Sequence, residues 1–67
     1  MNNTYYAEGR KYEPVAVIND WGLDFNLGNA VKYISRVGRK DTNDIEDLTK
    51  AVDYIMYEIR LRKEKTL

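Results

Sequence analysis

The sequence predicts an all-α fold: a three-helix domain, with a short helix and then an antiparallel pair of longer helices, behind an N-terminal arm and assembling as a homo-oligomer. Three observations predict it. Apolar residues recur at helical spacing through most of the chain after residue 14. Start and stop signals bracket those runs at Pro14, Gly22, Asp24, Gly38 and Asn43. Finally, a chain of 67 residues with no cysteine and no histidine can use neither disulfides nor the usual zinc ligands to support a marginal core, so association with other copies is the remaining common remedy.

Residues 1–12 are polar and tyrosine-rich, with Gly9 breaking any periodicity, and read as the arm. A first helix over about 14–21 starts with Pro14, whose missing N–H costs nothing in a first turn, and stops at Gly22. A second helix over about 25–37 has Asp24 or Asn26 available as its cap and Gly38 just past its end. Leu27, Ala30, Val31 and Ile34 form one face, bordered by Val37, that is expected in the core. Gly28 interrupts this helix at a cost of about 1 kcal/mol relative to alanine, which points to a close helix contact or to a ligand near the backbone. A third helix over about 44–63 opens with Asn43 and Glu46 at capping-box spacing. Its apolar stripe is Ile45, Leu48, Val52, Ile55, Met56 and Ile59, with acids at its start and bases at its end, as the helix dipole favours. No repeat, low-complexity segment or domain boundary interrupts the chain, which reads as a single domain over 1–67.

The charge pattern is local. Gly28 to Lys40 carries four basic residues and no acid in a chain of zero formal net charge. Asn29, Lys32, Tyr33 and Arg36 share one helical face, and Lys40 follows within a turn of the helix end. Cations on such a stripe suit phosphate, while the asparagine and tyrosine suit a base or sugar. Asp41, Asp44, Glu46 and Asp47 come immediately afterwards, and in an antiparallel pair they lie near the C-terminal end of the basic stripe. Glu46 and Asp47 would either hold Mg²⁺ or accept from ribose or base donors; no other cofactor is implied. The plain alternative is salt bridging, Glu46 to Lys50 at i, i+4 being one such pair.

Sharper motifs are missing from the sequence. It contains no GxxxxGK[ST] loop, and its glycines are too far apart for GxGxxG. "DTNDIED" departs from a calcium loop at Ile45 and at Val52, where the closing glutamate belongs. No apolar run approaches the roughly 20 residues of a membrane span, and the N-terminus lacks the apolar core of a signal peptide, so no membrane partner and a cytoplasmic location are expected. Nucleic acid is not an expected partner, because the helix that would enter a groove begins "NDIED".

"YEPVAVINDWGLDFNLGNAVKYISRVGRKD" followed by "DIEDLTKAVDYIMYEI" closely resembles the phage-associated domain of unknown function 3310 family. A divergent copy of that domain occurs in the nucleotide kinase of some podophages. The resemblance covers Tyr12 to Ile59 and implies a phage or prophage protein, all-helical and oligomeric, that handles nucleotides without a P-loop and works in the bacterial host cell. The family motif falls on Tyr12, Asn29, Lys32, Tyr33, Arg36, Glu46, Asp47 and Lys50. Two departures stand out: Lys11 occupies the place of a histidine found in many members, and this chain is much shorter than the kinase.

The expected function is therefore capture of a nucleotide or cyclic nucleotide in an oligomeric pocket, sequestering an immune signalling nucleotide as an anti-defence protein. Lys32, Arg36 and Lys40 would take phosphate, Asn29 and Tyr33 the base or sugar. The alternative is a P-loop-less nucleoside monophosphate kinase, whose two nucleotides, metal and charge-stabilising groups would have to be placed across subunit interfaces in so short a chain. A nucleic-acid or protein-interaction adaptor comes third.

Overall fold

The computed structural model describes residues 10–66. The expected arm is thus described only from residue 10, where residues 10–13 form no helix; Tyr5 and Tyr6 lie outside the described residues. Among the described residues there are three helices and no strand: α1 Pro14–Trp21, α2 Phe25–Arg36 and α3 Asp44–Thr66.

Local chemistry explains each boundary. Pro14 opens α1 after an extended Glu13. Gly22 closes it in the left-handed region, φ 63° and ψ 35°. The Gly22 and Leu23 amides donate to Asn19 O at 3.2 Å and Ile18 O at 3.1 Å, the paired bonds of a Schellman end. Asp24 rather than Asn26 caps α2, its Oδ1 accepting from the Leu27 amide at 2.9 Å. That hydrogen bond is the main cause holding the Asp24 carboxyl below its ordinary value; some loss of hydration opposes it, and Glu58, Arg62 and Lys65 contribute less.

α2 ends at Arg36, one residue before the expected Val37, which is already extended at φ −64° and ψ 132°. The physical reason lies in the connection. The Gly38 amide donates to Asp44 Oδ1 at 2.9 Å. The Thr42 hydroxyl lies 3.0 Å from Arg36 O, which also accepts from the Arg39 amide at 3.1 Å, and 2.7 Å from Arg39 O, so it ties the connection to the end of α2. Gly38 and Asp41 both take positive φ, 81° and 65°, and aspartate is among the side chains that tolerate this region. Asn43 then caps α3, its Oδ1 accepting from the Glu46 amide at 3.0 Å. α3 continues to Thr66, past the expected residue 63, with Asp44, Glu46 and Asp47 in its first turn and Lys63 and Lys65 in its last.

α2 and α3 pack along each other in opposite directions. Asn26 Nδ2 donates to Glu58 Oε1 at 3.3 Å near one end. At the other, Arg36 Nε lies 3.5 Å from Asp47 Oδ1. α1 rests on α2 at Gly28, where a Cβ would stand only 3.1 Å from Ile18 Cγ2. The glycine is thus explained by a helix contact.

The expected core is only partly built. Among the described residues the buried hydrophobic ones are Ala30 and Ala51, and no large side chain is fully buried. α3 turns Asp47, Ala51, Tyr54 and Glu58 toward α2, while its apolar stripe points elsewhere and stays open, with Ile45 74%, Val52 53% and Met56 57% exposed. On α2, Ala30 is buried but Leu27 and Val31 are half-buried, as is Val37 just beyond the helix, and Ile34 is 50% exposed, a correction to the expectation that this whole face enters the core. The extents, 43 × 27 × 15 Å, give the cause: the three helices lie in one layer about as thick as a single helix with its side chains. One layer has no second layer to bury its faces against.

Candidate functional site

The layer has two unlike sides. At about 100° per residue, the α3 apolar stripe lies roughly 110° around the helix from the side chains facing α2. Leu27, Val31 and Ile34 are turned about 100° from the α2 residues facing α3. In opposed helices these two rotations lead to the same side, so one side of the layer is apolar. The other side carries the aromatic residues and the cations.

Tyr33 of α2 and Tyr54 of α3 form the centre of that second side, with ring centroids 6.0 Å apart and planes 14° from parallel. Phe25 and Tyr57 meet Tyr54 edge-on at 5.9 Å and 6.2 Å, completing a run of four rings. Two cations lie over Tyr33: the Arg36 guanidinium 5.6 Å and the Lys50 ammonium 5.4 Å from the ring centroid. Each also meets an acid. Arg36 pairs with Asp47, and Lys50 lies 3.5 Å from Glu46 Oε1. Arg36 and Lys50 are each about half exposed, whereas the Asp47 side chain is 3% exposed. Asp47 Oδ2 is buried without a hydrogen-bond partner.

Of the residues singled out in the sequence, the structure brings together Tyr33, Arg36, Glu46, Asp47 and Lys50. Asn29 uses its amide locally, donating to Phe25 O at 2.8 Å. It lines, with Lys32, Phe25 and Ile18, an open depression of about 290 Å³ where α1 meets α2. Tyr12 lies apart, 65% exposed with the Lys11 ammonium 5.3 Å from its ring centroid, beside a separate hollow bounded by α1 residues including Trp21. Lys40 is exposed in the connection after α2. Glu46 and Asp47 are drawn to different cations, and no group of three or more potential metal ligands occurs among the described residues.

The sequence reading overlooked Tyr54, which meets the other three rings of the four, along with Phe25 and Tyr57. A signal for them exists: Asp47, Lys50, Tyr54 and Tyr57 stand at i, i+3, i+7 and i+10, a second face of α3 that the more conspicuous apolar stripe obscured. Glu58 was missed as well. It is 7% exposed and binds Arg62 Nε at 2.7 Å as well as Asn26. Its hydrogen bond and charge hold Arg62 above the ordinary arginine value.

A family model described as protein of unknown function, DUF3310, matches residues 3–56. The chain belongs to the DUF3310 family. That match spans α1, α2 and the part of α3 that carries Glu46, Asp47, Lys50 and Tyr54, so the aromatic and charged side of the layer lies within the family's own domain except for Tyr57, one residue beyond it. No curated protein matches the chain, and no solved structure matches it. Among the described residues no helix is long and apolar enough to cross a membrane.

Proposed function

We propose that this DUF3310 protein is a small phage-type nucleotide-binding protein, acting in the cytoplasm of a bacterial host, that assembles as a homo-oligomer and captures a phosphorylated nucleotide, sequestering an immune signalling nucleotide. The observation that carries this reading is the Tyr33–Tyr54 pair with Arg36 and Lys50 over Tyr33, flanked by the exposed Phe25 ring. Rings of this kind accept a base by stacking irrespective of its sequence identity. Arg36 and Lys50 then stand within one side-chain length of a base placed there, and half of each is already in water. A phosphate would draw Lys50 from Glu46, an exchange that costs little because the pair is solvent-exposed. Arg36 is held from beneath by Asp47 and keeps its remaining donors for a ligand. Lys32 and Asn29, in the neighbouring depression, extend the polar surface toward α1.

The test is direct. The purified protein is incubated with ATP, Mg²⁺ and a panel of mononucleotides and cyclic signalling nucleotides, separated from unbound material, denatured, and its nucleotides identified by chromatography. Recovery of one compound unchanged is expected, and its recovery should drop at least tenfold in Tyr54→Leu and in Lys50→Ala with the helical signal retained. Diphosphate formation with matching loss of ATP would replace capture by kinase activity. No recovered nucleotide would overturn both.

A further inference from the structure

The apolar stripe of α3 has no role in the polar side of the layer. Ile45, Leu48, Val52, Ile55 and Ile59 are spaced 3, 4, 3 and 4, the a and d positions of a heptad seam, and all five are exposed. The seam runs for about 22 Å at 1.5 Å per residue. Its a positions are the β-branched Ile45, Val52 and Ile59, and its d positions are Leu48 and Ile55.

We infer that the occupant of this seam is α3 of a second copy of the chain, packed antiparallel across a two-fold axis. Charge along the helix selects that direction. Asp44, Glu46 and Asp47 occupy the first turn and Lys63 and Lys65 the last. Antiparallel copies lay acid beside base at both ends, whereas parallel copies would stack like on like. A two-fold contact also supplies the missing second layer, because each copy covers the other's apolar side, including the half-open Leu27, Val31 and Ile34. In an antiparallel seam a positions face d positions, which sets Val52 opposite Ile55 of the partner subunit and Leu48 opposite Ile59 of the partner subunit. The polar, aromatic sides then face outward from the pair. This inference shares with the proposed function only the premise of a homo-oligomer and needs no nucleotide.

The chain has no cysteine, so introduced thiols report without background. Leu48→Cys and Ile59→Cys are prepared as separate variants, each shortening one apolar side chain of the seam, and oxidised alone and after being unfolded and refolded together. The mixture is expected to give a disulfide-linked dimer at least tenfold more than either variant alone. In the proposed register, like residues stand about 16 Å apart along the axis, beyond the roughly 7 Å Cα limit for a disulfide. Equal self-linking by each variant, or a mixture that does not link, would overturn the arrangement. So would a folded monomer of the unmodified chain at micromolar concentration in sedimentation velocity. Nucleotide recovery is measured on separate samples, so loss of ligand binding with intact cross-linking refutes the proposed ligand and leaves the interface in place.

Discussion

Removing Arg36 and removing Asp47 should have unequal effects, though the two form one ion pair. Asp47 is 2% exposed, its Oδ2 already lacks a partner, and Arg36 supplies the countercharge at 3.5 Å while remaining half in water. At that distance and an effective dielectric of 20 the attraction is about 5 kcal/mol before any desolvation is subtracted. Taking away one member of a fully buried pair costs about 3–5 kcal/mol. The exposed guanidinium lowers that figure, so Arg36→Met, which leaves a buried carboxylate without its countercharge, should cost about 1–3 kcal/mol. Asp47→Ala releases Arg36 to water and removes the orphan oxygen, losing mainly a favourable charge at the start of α3, and should cost under about 1 kcal/mol. The double variant should be more stable than Arg36→Met alone, with a coupling of about 1–2 kcal/mol. Urea unfolding followed by circular dichroism, at one fixed protein concentration, measures all four species. An Asp47→Ala variant as destabilised as Arg36→Met would refute the reasoning.

Acid should weaken the start of α2. The Asp24 carboxyl is held below its ordinary value chiefly by the Leu27 amide, so its contribution is present above the ordinary pKa of 3.8 and is lost as pH falls through the lower folded value. Asp24→Asn, which can still accept that hydrogen bond, should flatten the stability profile below pH 4, and an unchanged acid slope would count against the cap. Gly28→Val should cost about 1–3 kcal/mol by forcing Ile18 off α2, whereas Gly28→Ala sets a tight contact against better helix propensity and should change stability by under about 1 kcal/mol. A valine variant as stable as the parent in the same urea assay would show that α1 does not depend on this contact.

What the sequence made legible was the chemistry contained in a few neighbouring residues. Gly22 ends α1 because only its own backbone must turn left-handed, and Asp24 and Asn43 cap the next two helices with bonds three residues away. Choice of face was harder. Periodicity says that Ile45, Leu48, Val52, Ile55 and Ile59 share a side of α3, but says nothing of which neighbour that side meets. Within the chain, α2 is met instead by Asp47, Ala51, Tyr54 and Glu58. Alanines on both contacting faces let the helices approach, and the polar members of the stripe find Arg36, Asn26 and Arg62 as partners. The basic stripe was visible for the same local reason as the caps. Tyr54 was not, because its importance arises only when α2 folds back and delivers Tyr33 to it. Val37 shows the limit of end signals: Gly38 does stand beyond the helix, but Thr42 and Asp44 draw the chain out one residue earlier.

A layer whose buried hydrophobic side chains, among the described residues, are two alanines has a consequence for abundance. When most of the apolar stabilisation comes from contact between copies, the folded fraction rises with the amount of chain made. Dilute, newly synthesised molecules would be open to proteases, and each doubling of expression would protect a larger share of them. If the proposed two-fold pair forms, the protein would switch on above a dose: little functional material would accumulate early in synthesis, and most of it would become competent together once copies meet faster than they are degraded.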